Sequence, residues 1–376
     1  MDPMRLALAV LLVLFLYPFA GYPLLLRLRV PRRRRPAPEP GAWPEAALII
    51  CALNEQTVIA DKIENSLTLD YEPGKLRVVV ISDGSTDRTT EIARAYEPRI
   101  ELIERHRRRG KVANLNEAIA GRREEIIVLS DANVLYDQAA VRKLVAHFCE
   151  PGIGGVSGRV ILVETAPAIG GGEQGYYSIE WDLQERESEL YSMVGADGAM
   201  YAFRRELFTP CPDDTIIEDL VIPMSIVRRG SRLVFAPDAV GWEQGSRSAR
   251  EEFARRVRIA AGAAQALVRG SGWPSGAPAV FWWIFLSHKL LRWLSPFLGG
   301  AAVAVALFDW GWAPARAVVW CAALLGLAAL ARPRWPGRNA VLEGAFYFLL
   351  GQAALAWGFL KGLAGRQSVL WAKRDR

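Results

Sequence analysis

The stretch Val78-Val79-Val80-Ile81-Ser82-Asp83-Gly84-Ser85-Thr86-Asp87 decides the reading of this chain. Four β-branched apolar residues in succession predict a strand covered on both faces, as in a parallel sheet, where apolar and polar positions do not alternate. The run stops at a carboxylate, a glycine and a cluster of short hydroxyls, which is a strand end turning into a helix cap. In open α/β sheets, ligands sit in the crevice beyond the carboxyl ends of the strands. Asp83 falls there, and a nucleotide is the expected ligand.

Around this strand the chain alternates. Ala47 to Ala52 reads as a strand ending in Asn54-Glu55, with helical spacing from Val58 to Leu67. A helix over Asp87 to Tyr96 is followed by a short strand, Ile100 to Ile103. Arg109-Gly110-Lys111 leads into a helix to Ala120, and Ile126-Ile127-Val128-Leu129-Ser130-Asp131 is a second buried strand ending on a carboxylate. Alternation of this kind predicts an α/β domain on a parallel sheet. Beyond Glu150 the expectation is glycine-rich loop over Gly152 to Gly158 and Gly170 to Gly172, with a strand from Val160 to Val163 between them. Tyr176 to Leu190 has helical spacing, Gly195 to Tyr201 is a turn into a strand, Ile217-Glu218-Asp219-Leu220 opens a helix, and Ala249 to Leu267 is a basic amphipathic helix.

The two ends are apolar. Leu6 to Leu26, about 21 residues, matches the length needed to cross a bilayer. Arg27, Arg29 and Arg32 to Arg35 follow it, so the positive-inside rule places the downstream chain in the cytoplasm. The apolar core is too long for a cleaved signal and lacks a small-residue cleavage site. Pro31 to Pro44 reads as an extended linker. Near the other end, Phe281 to Phe285 with His288, Lys289 and Arg292 suits an amphipathic segment at the bilayer surface. Pro296 to Phe308, Ala315 to Leu330 and Val341 to Leu360 are further spanning candidates, with Arg332, Arg334 and Arg338 on the inside. Three crossings would leave the basic tail, Lys361 to Arg376, outside, against the charge rule, so either one segment is re-entrant or interfacial or the rule is overridden. The expected domains are therefore a transmembrane anchor (1–30), a Pro/Arg linker (31–44), the α/β domain (45–275), and an interfacial helix with transmembrane helices (276–376).

Composition narrows the function. The chain is 376 residues long, 51% hydrophobic and 23% charged, with a net charge of +6 concentrated in Arg32 to Arg35 and Arg105 to Lys111. Basic residues interleaved with aromatics along one surface are missing, so nucleic acid is not an expected partner. Cys51, Cys149, Cys211 and Cys321 show neither CxxC spacing nor a pairing pattern, and the three histidines do not cluster, which argues against a disulfide framework or a structural zinc. The expected base is a carboxylate.

Three acidic positions fall at predicted strand or helix ends: Asp83, the triplet Asp131-Ala132-Asn133, and Glu218-Asp219. One carboxylate at a strand end can be a cap. Three in one domain point to hard oxygen ligands for Mg²⁺ or Mn²⁺ with a diphosphate, the ion offsetting charge on a departing nucleoside diphosphate. A separate carboxylate takes the proton from an acceptor hydroxyl.

At these residues the chain resembles the family-2 glycosyltransferases, GT-A fold enzymes that include cellulose, chitin, hyaluronan and poly-N-acetylglucosamine synthases. The matching pieces are Ala52 to Glu55, Ser82 to Asp87, Gly110-Lys111 with Leu115-Asn116, Asp131 to Asn133, Gly198-Ala199, Glu218-Asp219, and Arg255-Arg256-Val257-Arg258-Ile259, in the family's order. The resemblance implies an α/β GT-A domain flanked by transmembrane helices and assigns roles. Asn54, Glu55, Asp83, Lys111, Asp131, Arg255, Arg256 and Arg258 bind a nucleotide-sugar donor, with Asp83 on the base and ribose side of a UDP-sugar. Asp131 and Asn133 hold the metal. Asp219 with Glu218 is the catalytic pair, Asp219 as the base of an inverting transfer. Asp197 and Gly198 flank the acceptor. Two positions depart from the family pattern: Asn133 replaces an aspartate, and Ile259 replaces the tryptophan on which processive synthases stack the acceptor sugar.

The implied reading is a membrane glycosyltransferase of surface or exopolysaccharide assembly, acting on a lipid-linked or growing glycan, with membrane lipids and an export channel as further partners. Processive synthesis coupled to secretion is the alternative within the class. Outside it stand a non-catalytic nucleotide-binding membrane subunit and a transporter with a regulatory domain; the retained Asp83, Asp131 and Asp219 argue against the first. The spans hold no intramembrane carboxylate pair, which argues against the second.

Overall fold

The computed structural model describes residues 2–32, 39–163, 172–246, 248–331 and 339–368. Arg33 to Arg35, Gly170-Gly171, Arg332, Arg334, Arg338 and the tail after Ser368 lie outside them. An eight-stranded sheet organises the middle of the chain in the order β3-β2-β1-β4-β7-β6-β8-β5. Its first half is built from β1 (Ala46–Ala52), β2 (Leu76–Asp83), β3 (Glu101–Arg105) and β4 (Ile126–Asp131), all parallel. Between them run α3 (Ile59–Leu67), α4 (Thr89–Arg94) and α5 (Lys111–Ala120).

The absence of alternation in Val78 to Ile81 has its expected cause. Ala47, Ile49, Val79, Ile81, Ile127 and Leu129 enter one buried cluster, and Ala46, Leu48, Ile50, Val78, Val80, Ile126 and Val128 enter another on the opposite face. Both faces being covered, the runs Ala46 to Ile50, Val78 to Ile81 and Ile126 to Leu129 are apolar without interruption.

The second half of the sheet is mixed. After β5 (Leu135–Tyr136) and α6 (Ala140–Ala146) come β6 (Ile153–Val163), α7 (Gly172–Leu190), β7 (Met200–Arg204), α8 (Glu218–Arg228) and β8 (Arg232–Gln244). β7 runs antiparallel to both β4 and β6, and β5 antiparallel to β8. Gly152 to Gly158, expected as loop, is largely strand. The glycines of β6 mark close packing rather than a turn: a Cβ on Gly154 would stand 2.5 Å from the Leu207 side chain and 2.7 Å from Ile226, and one on Gly158 2.7 Å from the Met200 sulfur. Glycine in a strand admits such close approach.

Helix α9 (Ala249–Val268) completes the domain. The terminal segments form long rods. At the N-terminus α1 (Pro3–Leu16), a π-helical turn (Tyr17–Gly21) and α2 (Tyr22–Arg29) are continuous, the turn sitting at Pro18 where an inner hydrogen bond is lost. At the other end α10 (Ala279–Ile284), a second π turn (Phe285–Leu290) and α11 (Leu291–Phe308) make one rod, followed by α12 (Ala313–Ala331) and α13 (Ala340–Leu363). Among the described residues, four helical stretches are long and apolar enough to cross a membrane: Pro3–Arg29, Ala279–Phe308, Ala313–Ala331 and Val341–Leu363. The segment Phe281 to Phe285 is the domain-side end of the second rod, with Phe281 and Phe285 buried in the domain's own core.

Gly154→Val forces a branched side chain into the packed side of β6 and lowers stability by about 1–3 kcal/mol, the usual cost of overpacking. Gly175→Ala, with nothing within 4 Å of the added methyl, leaves it within about 0.5 kcal/mol. Thermal unfolding of the two purified variants in detergent checks the contrast.

Candidate active site

The ends of β1, β2 and β4 lie level, because Ala52 pairs with Ser82 and Cys51 with Asp131. Beyond them a cavity of about 250 Å³ opens, lined by Glu55, Asp83, Lys111, Asp131, Asn133, Asp197, Gly198, Glu218, Asp219, Arg255 and Arg258, with Cys51, Arg108, Glu243 and Ile259 among the others. Of the residues singled out in the sequence, only Asn54 and Arg256 are not brought to it.

Asn54 adopts a left-handed backbone, φ 58°, and braces the neighbouring turn: its Oδ1 accepts from the Thr86 N–H at 2.7 Å. Arg256 faces the opposite way along α9. Its guanidinium stacks 4.4 Å over the Tyr347 ring of α13, donates to the Tyr347 hydroxyl, and bonds Glu252 at 2.6 Å. Consecutive residues on a helix point about 100° apart, so the run Arg255-Arg256 cannot deliver both guanidinium groups to one site. Arg255, held by Glu252 at 2.9 Å and by the Tyr177 hydroxyl at 3.2 Å, and Arg258, bonded to the Ile216 carbonyl at 3.2 Å, face the cavity.

Asp83 stands at the strand end as expected and carries a local duty there. Its two oxygens accept the backbone N–H groups of Arg109 (2.7 Å) and Gly110 (2.9 Å), fixing the loop that starts α5. Each oxygen keeps a further lone pair. Gly84 makes this approach possible: its φ is +70°, and a Cβ there would meet the Arg108 nitrogen at 2.6 Å.

Lys111, the first residue of α5, ties the site together. Its Nζ reaches Asp131 at 2.8 Å and Glu218 at 2.7 Å. Burial alone would pull its pKa down, but the two carboxylates outweigh it and hold it well above the usual lysine value. The ammonium is a fixed positive charge between β4 and α8.

The carboxylates around it are crowded. Asp197 is pushed up to about 7, chiefly by burial; the Ala199 N–H opposes this, while Glu243, Asp219 and Asp131 add to it. Asp219 rises to about 6 through burial and its neighbour Glu218, against the pull of Lys111 and Arg258. A Cβ on Gly198 would stand 2.9 Å from Asp219 Oδ2, so glycine there lets the carboxylate lie against the 197–199 turn. Cys51 is pushed up to about 12 by burial and stays a thiol, which removes it as a nucleophile.

Asp131 keeps Oδ2 without a protein partner among the described residues, and Asn133 donates its amide to Glu243 Oε1 at 2.8 Å. This hard-oxygen set fits a divalent ion shared with a diphosphate, which takes only one or two protein carboxylates. Among the described residues no three His, Cys, Asp or Glu side chains gather into a cage that would hold a metal unaided.

Sequence reasoning missed two residues. Glu243 ends β8, a strand whose apolar run Leu233 to Ala236 was its only visible signal. Lys62 on α3 is fully buried; its Nζ donates to the Val134 carbonyl at 2.6 Å and lies 3.9 Å from the Tyr136 ring centroid, bracing the chain just after Asn133. Burial draws the Lys62 ammonium down to about 7, against a weaker pull from Asp131. Between pH 7 and about 10 the unfolded chain therefore holds more protons at this position than the folded one, and the lysine makes stability rise with pH across that window. Lys62→Met abolishes that rise relative to the unsubstituted protein, as melting temperatures recorded from pH 7 to 10 in detergent will show.

Comparisons with known proteins agree with this geometry. Residues 47–209 match the family described as glycosyl transferase family 2. The chain is 24% identical over 234 residues to a probable glycosyltransferase, YdaM, of Bacillus subtilis, with 58% of this chain and 55% of that protein covered. It is 25% identical over 228 residues to the poly-β-1,6-N-acetyl-D-glucosamine synthase of Staphylococcus aureus, covering 59% and 55%. The chain thus spans about half the length of the curated relatives it matches. Among solved structures it superposes on the mannosyltransferase PcManGT of Pyrobaculum calidifontis, seen in complex with GDP-mannose and Mn²⁺, with a TM-score of 0.75 and 26% identity over 97% of this chain and all of that one. An α/β sheet with a mixed second half, flanked by long apolar helices, and a family match that begins in β1 lead to one assignment: residues 47–209 form a glycosyl transferase family 2 domain, and the fold is GT-A.

Proposed function

We propose that the chain is an inverting hexosyltransferase that moves a sugar from a nucleoside-diphosphate sugar, a UDP-sugar in the first instance, to a lipid-linked or growing glycan during surface polysaccharide assembly. Residues 1–30 anchor it, 31–44 link, 45–275 catalyse on the cytoplasmic face, and 276–376 seat the domain on the membrane. The observation that carries the reading is the division of one cavity: Lys111, Arg255 and Arg258 supply positive charge, and Asp219 supplies a carboxylate with a pKa of about 6 beside them.

The acceptor hydroxyl oxygen forms the new bond to the anomeric carbon, the bond to the diphosphate oxygen breaks with its electron pair on the leaving group, and the hydroxyl proton passes to Asp219. Attack opposite the leaving group inverts the anomeric centre. Arg255 and Arg258 offer guanidinium forks suited to the diphosphate. Asp131 with Asn133 would hold Mg²⁺ or Mn²⁺, which would supply positive charge against the departing diphosphate. Asp83 and Glu55 line the base and ribose side, and Asp197 with Gly198 lines the acceptor side next to Asp219. Ile259, on the cavity wall where processive relatives stack a sugar on tryptophan, favours transfer of single sugars over long processive synthesis.

Purified protein supplied with Mn²⁺ and a panel of nucleotide sugars is expected to release nucleoside diphosphate from one donor. Asp219→Asn lowers kcat/KM about 10²–10⁴-fold, the range of a lost general base, while nucleotide binding by calorimetry stays within about twofold; undiminished turnover would remove Asp219 from its role.

Because a base works only when ionised, kcat/KM for the unsubstituted enzyme rises with pH through about 6, the value to which burial and Glu218 bring Asp219. A rate profile between pH 4.5 and 8 tests this, and a profile flat across pH 6 contradicts it.

A further inference from the structure

Charge and hydropathy make opposite demands on α13. Its length and apolarity suit a crossing, yet a crossing carries Lys361 and the basic tail to the side away from the domain. The contacts of the helix resolve the opposition.

The rod ending in α11 runs away from the domain. Near its domain end Arg292 bonds Glu180 of α7 at 2.6 Å; at its far end Asp309 bonds Arg5 at 3.0 Å. Helix α13 meets this rod near the domain end only. Gln352 Oε1 accepts from the Ser295 hydroxyl at 2.9 Å, and Phe359 packs on Phe297 with ring centroids 6.0 Å apart. Seven residues of α13, about 10 Å of helix, thus advance along two residues of α11, about 3 Å. Helices side by side along the bilayer normal would advance together. On the N-terminal rod the same band is touched: Phe348 packs against Phe15 and Phe19 at 6.4 and 5.5 Å, and Phe15 lies against Gly299.

With α9 the relation is the reverse. A Cβ on Gly358 would stand 2.3 Å from the Val257 carbonyl, and one on Gly362 2.3 Å from the Ala261 carbonyl. Four residues on each helix keep step, so α13 runs alongside α9, whose other face carries Arg255, Arg258 and Ile259 into the cavity. The side of α13 away from α9 is an exposed apolar stripe at the spacing of one helical face: Ala353, Trp357, Leu360 and Ala364, with Trp357 54% and Leu360 50% exposed. The Lys361 ammonium lies 5.6 Å from the Trp357 ring centroid.

We infer that α13 does not cross the bilayer but lies in its surface on the catalytic-domain side, clamped to α9, with Trp357 and Leu360 in the boundary between acyl chains and headgroups. An amphipathic body with a cationic tip beside an indole suits that depth. Its polar side is replaced by the contact with α9. Continuity with the three apolar rods it touches, α12 among them, identifies the occupant of the stripe as the lipid leaflet. Three crossings then remain, and Lys361 and Arg366 fall on the side of Arg27 and Arg29, as the charge rule requires. The wall of the active site is thereby held by a helix in direct contact with lipid.

Full-length protein carrying Gln367→Cys and Cys321→Ser, in right-side-out and inverted membrane vesicles, tests the sidedness with an impermeant maleimide; exposed Cys149 on the catalytic domain is the internal reference. Gln367→Cys reacts in the same vesicle orientation as Cys149, and reaction in the opposite orientation overturns the inference. Nitroxide labels at Ala353→Cys, Trp357→Cys, Leu360→Cys and Ala364→Cys, each reconstituted into vesicles, report equal depths within a few ångströms. A crossing helix would spread them over about 16 Å, and such a gradient overturns the inference even where the tail lies on the domain side. Arg366→Cys serves in place of Gln367→Cys should that variant not fold.

Discussion

The bridge from Lys111 to Asp131 and Glu218 is the contact on which the site depends. Asp131 ends a strand of the parallel half of the sheet, Glu218 opens α8 in the mixed half, and Lys111 starts the helix that follows the Asp83-bound loop. Three separately folded segments meet at one ammonium. Without it, two carboxylates in a cavity already crowded with Asp197, Asp219 and Glu243 would face each other with no cation between them; Asp131 is about a third exposed, so the bridge contributes less than the ~3–5 kcal/mol of a fully buried pair. The pair also sets the electrostatics of Asp219. Glu218 raises its pKa and Lys111 lowers it, so the carboxyl settles near 6 rather than at the higher value burial and like charge alone would give.

Helix α9 divides its duties by face. Arg255, Arg258 and Ile259 border the cavity, whereas Arg256, Val257 and Ala261 meet α13. Glu252, fully buried, serves both sides by bonding Arg255 and Arg256 at once, and burial's upward push on its carboxyl is overcome by the two guanidinium groups, leaving it near 2. A second joint lies on α7. Glu180 and Glu187 grip the two ring nitrogens of His288 at 2.6 and 2.7 Å, the Tyr22 hydroxyl donates to Glu187 at 2.7 Å, and Asp182 receives Arg27 at 2.8 Å. Apart from the Arg5–Asp309 pair at the far end, these charged groups of the apolar rods are ones that meet the domain, and the π turns at Tyr17–Gly21 and Phe285–Leu290 fall beside them.

The parallel half of the sheet was legible because it is a local matter: strands buried on both faces must be uniformly apolar, and β1, β2 and β4 announce themselves by composition and by the polar residues at their ends. The mixed half was not. β6 is written in glycine because its neighbours press close, and a strand that needs glycine for sterics looks like a loop to any reading of propensity. Asp131, Lys111 and Asp219 could be placed in one cavity from sequence because each sits at an element's end, but the direction of a side chain along a helix is decided by tertiary packing. Arg256 was read with Arg255 as one basic patch, and α13 separated them. Asn54 was read as a ligand-facing residue and is a brace, since its left-handed backbone turns the amide toward Thr86. Lys62 carried no signal at all, an isolated lysine on a helix face being ordinarily solvated.

The cavity's own chemistry argues for a transfer in which positioning and charge matter more than covalent steps. Its thiol is held protonated, and its described lining holds no histidine, so proton movement falls to carboxylates whose pKa values burial has drawn toward neutrality. Asp197 at about 7 and Asp219 at about 6 lie on the two sides of Gly198, and the lower of the two is the one with Lys111 and Arg258 acting on it. Burial thus draws both carboxyls upward, Asp197 further than Asp219, so Asp219 is the more readily ionised of the two. Two carboxylates close in space to one glycine, separated in pKa by the charges around them, fit the division of labour proposed above, one accepting a proton and the other lining the acceptor side.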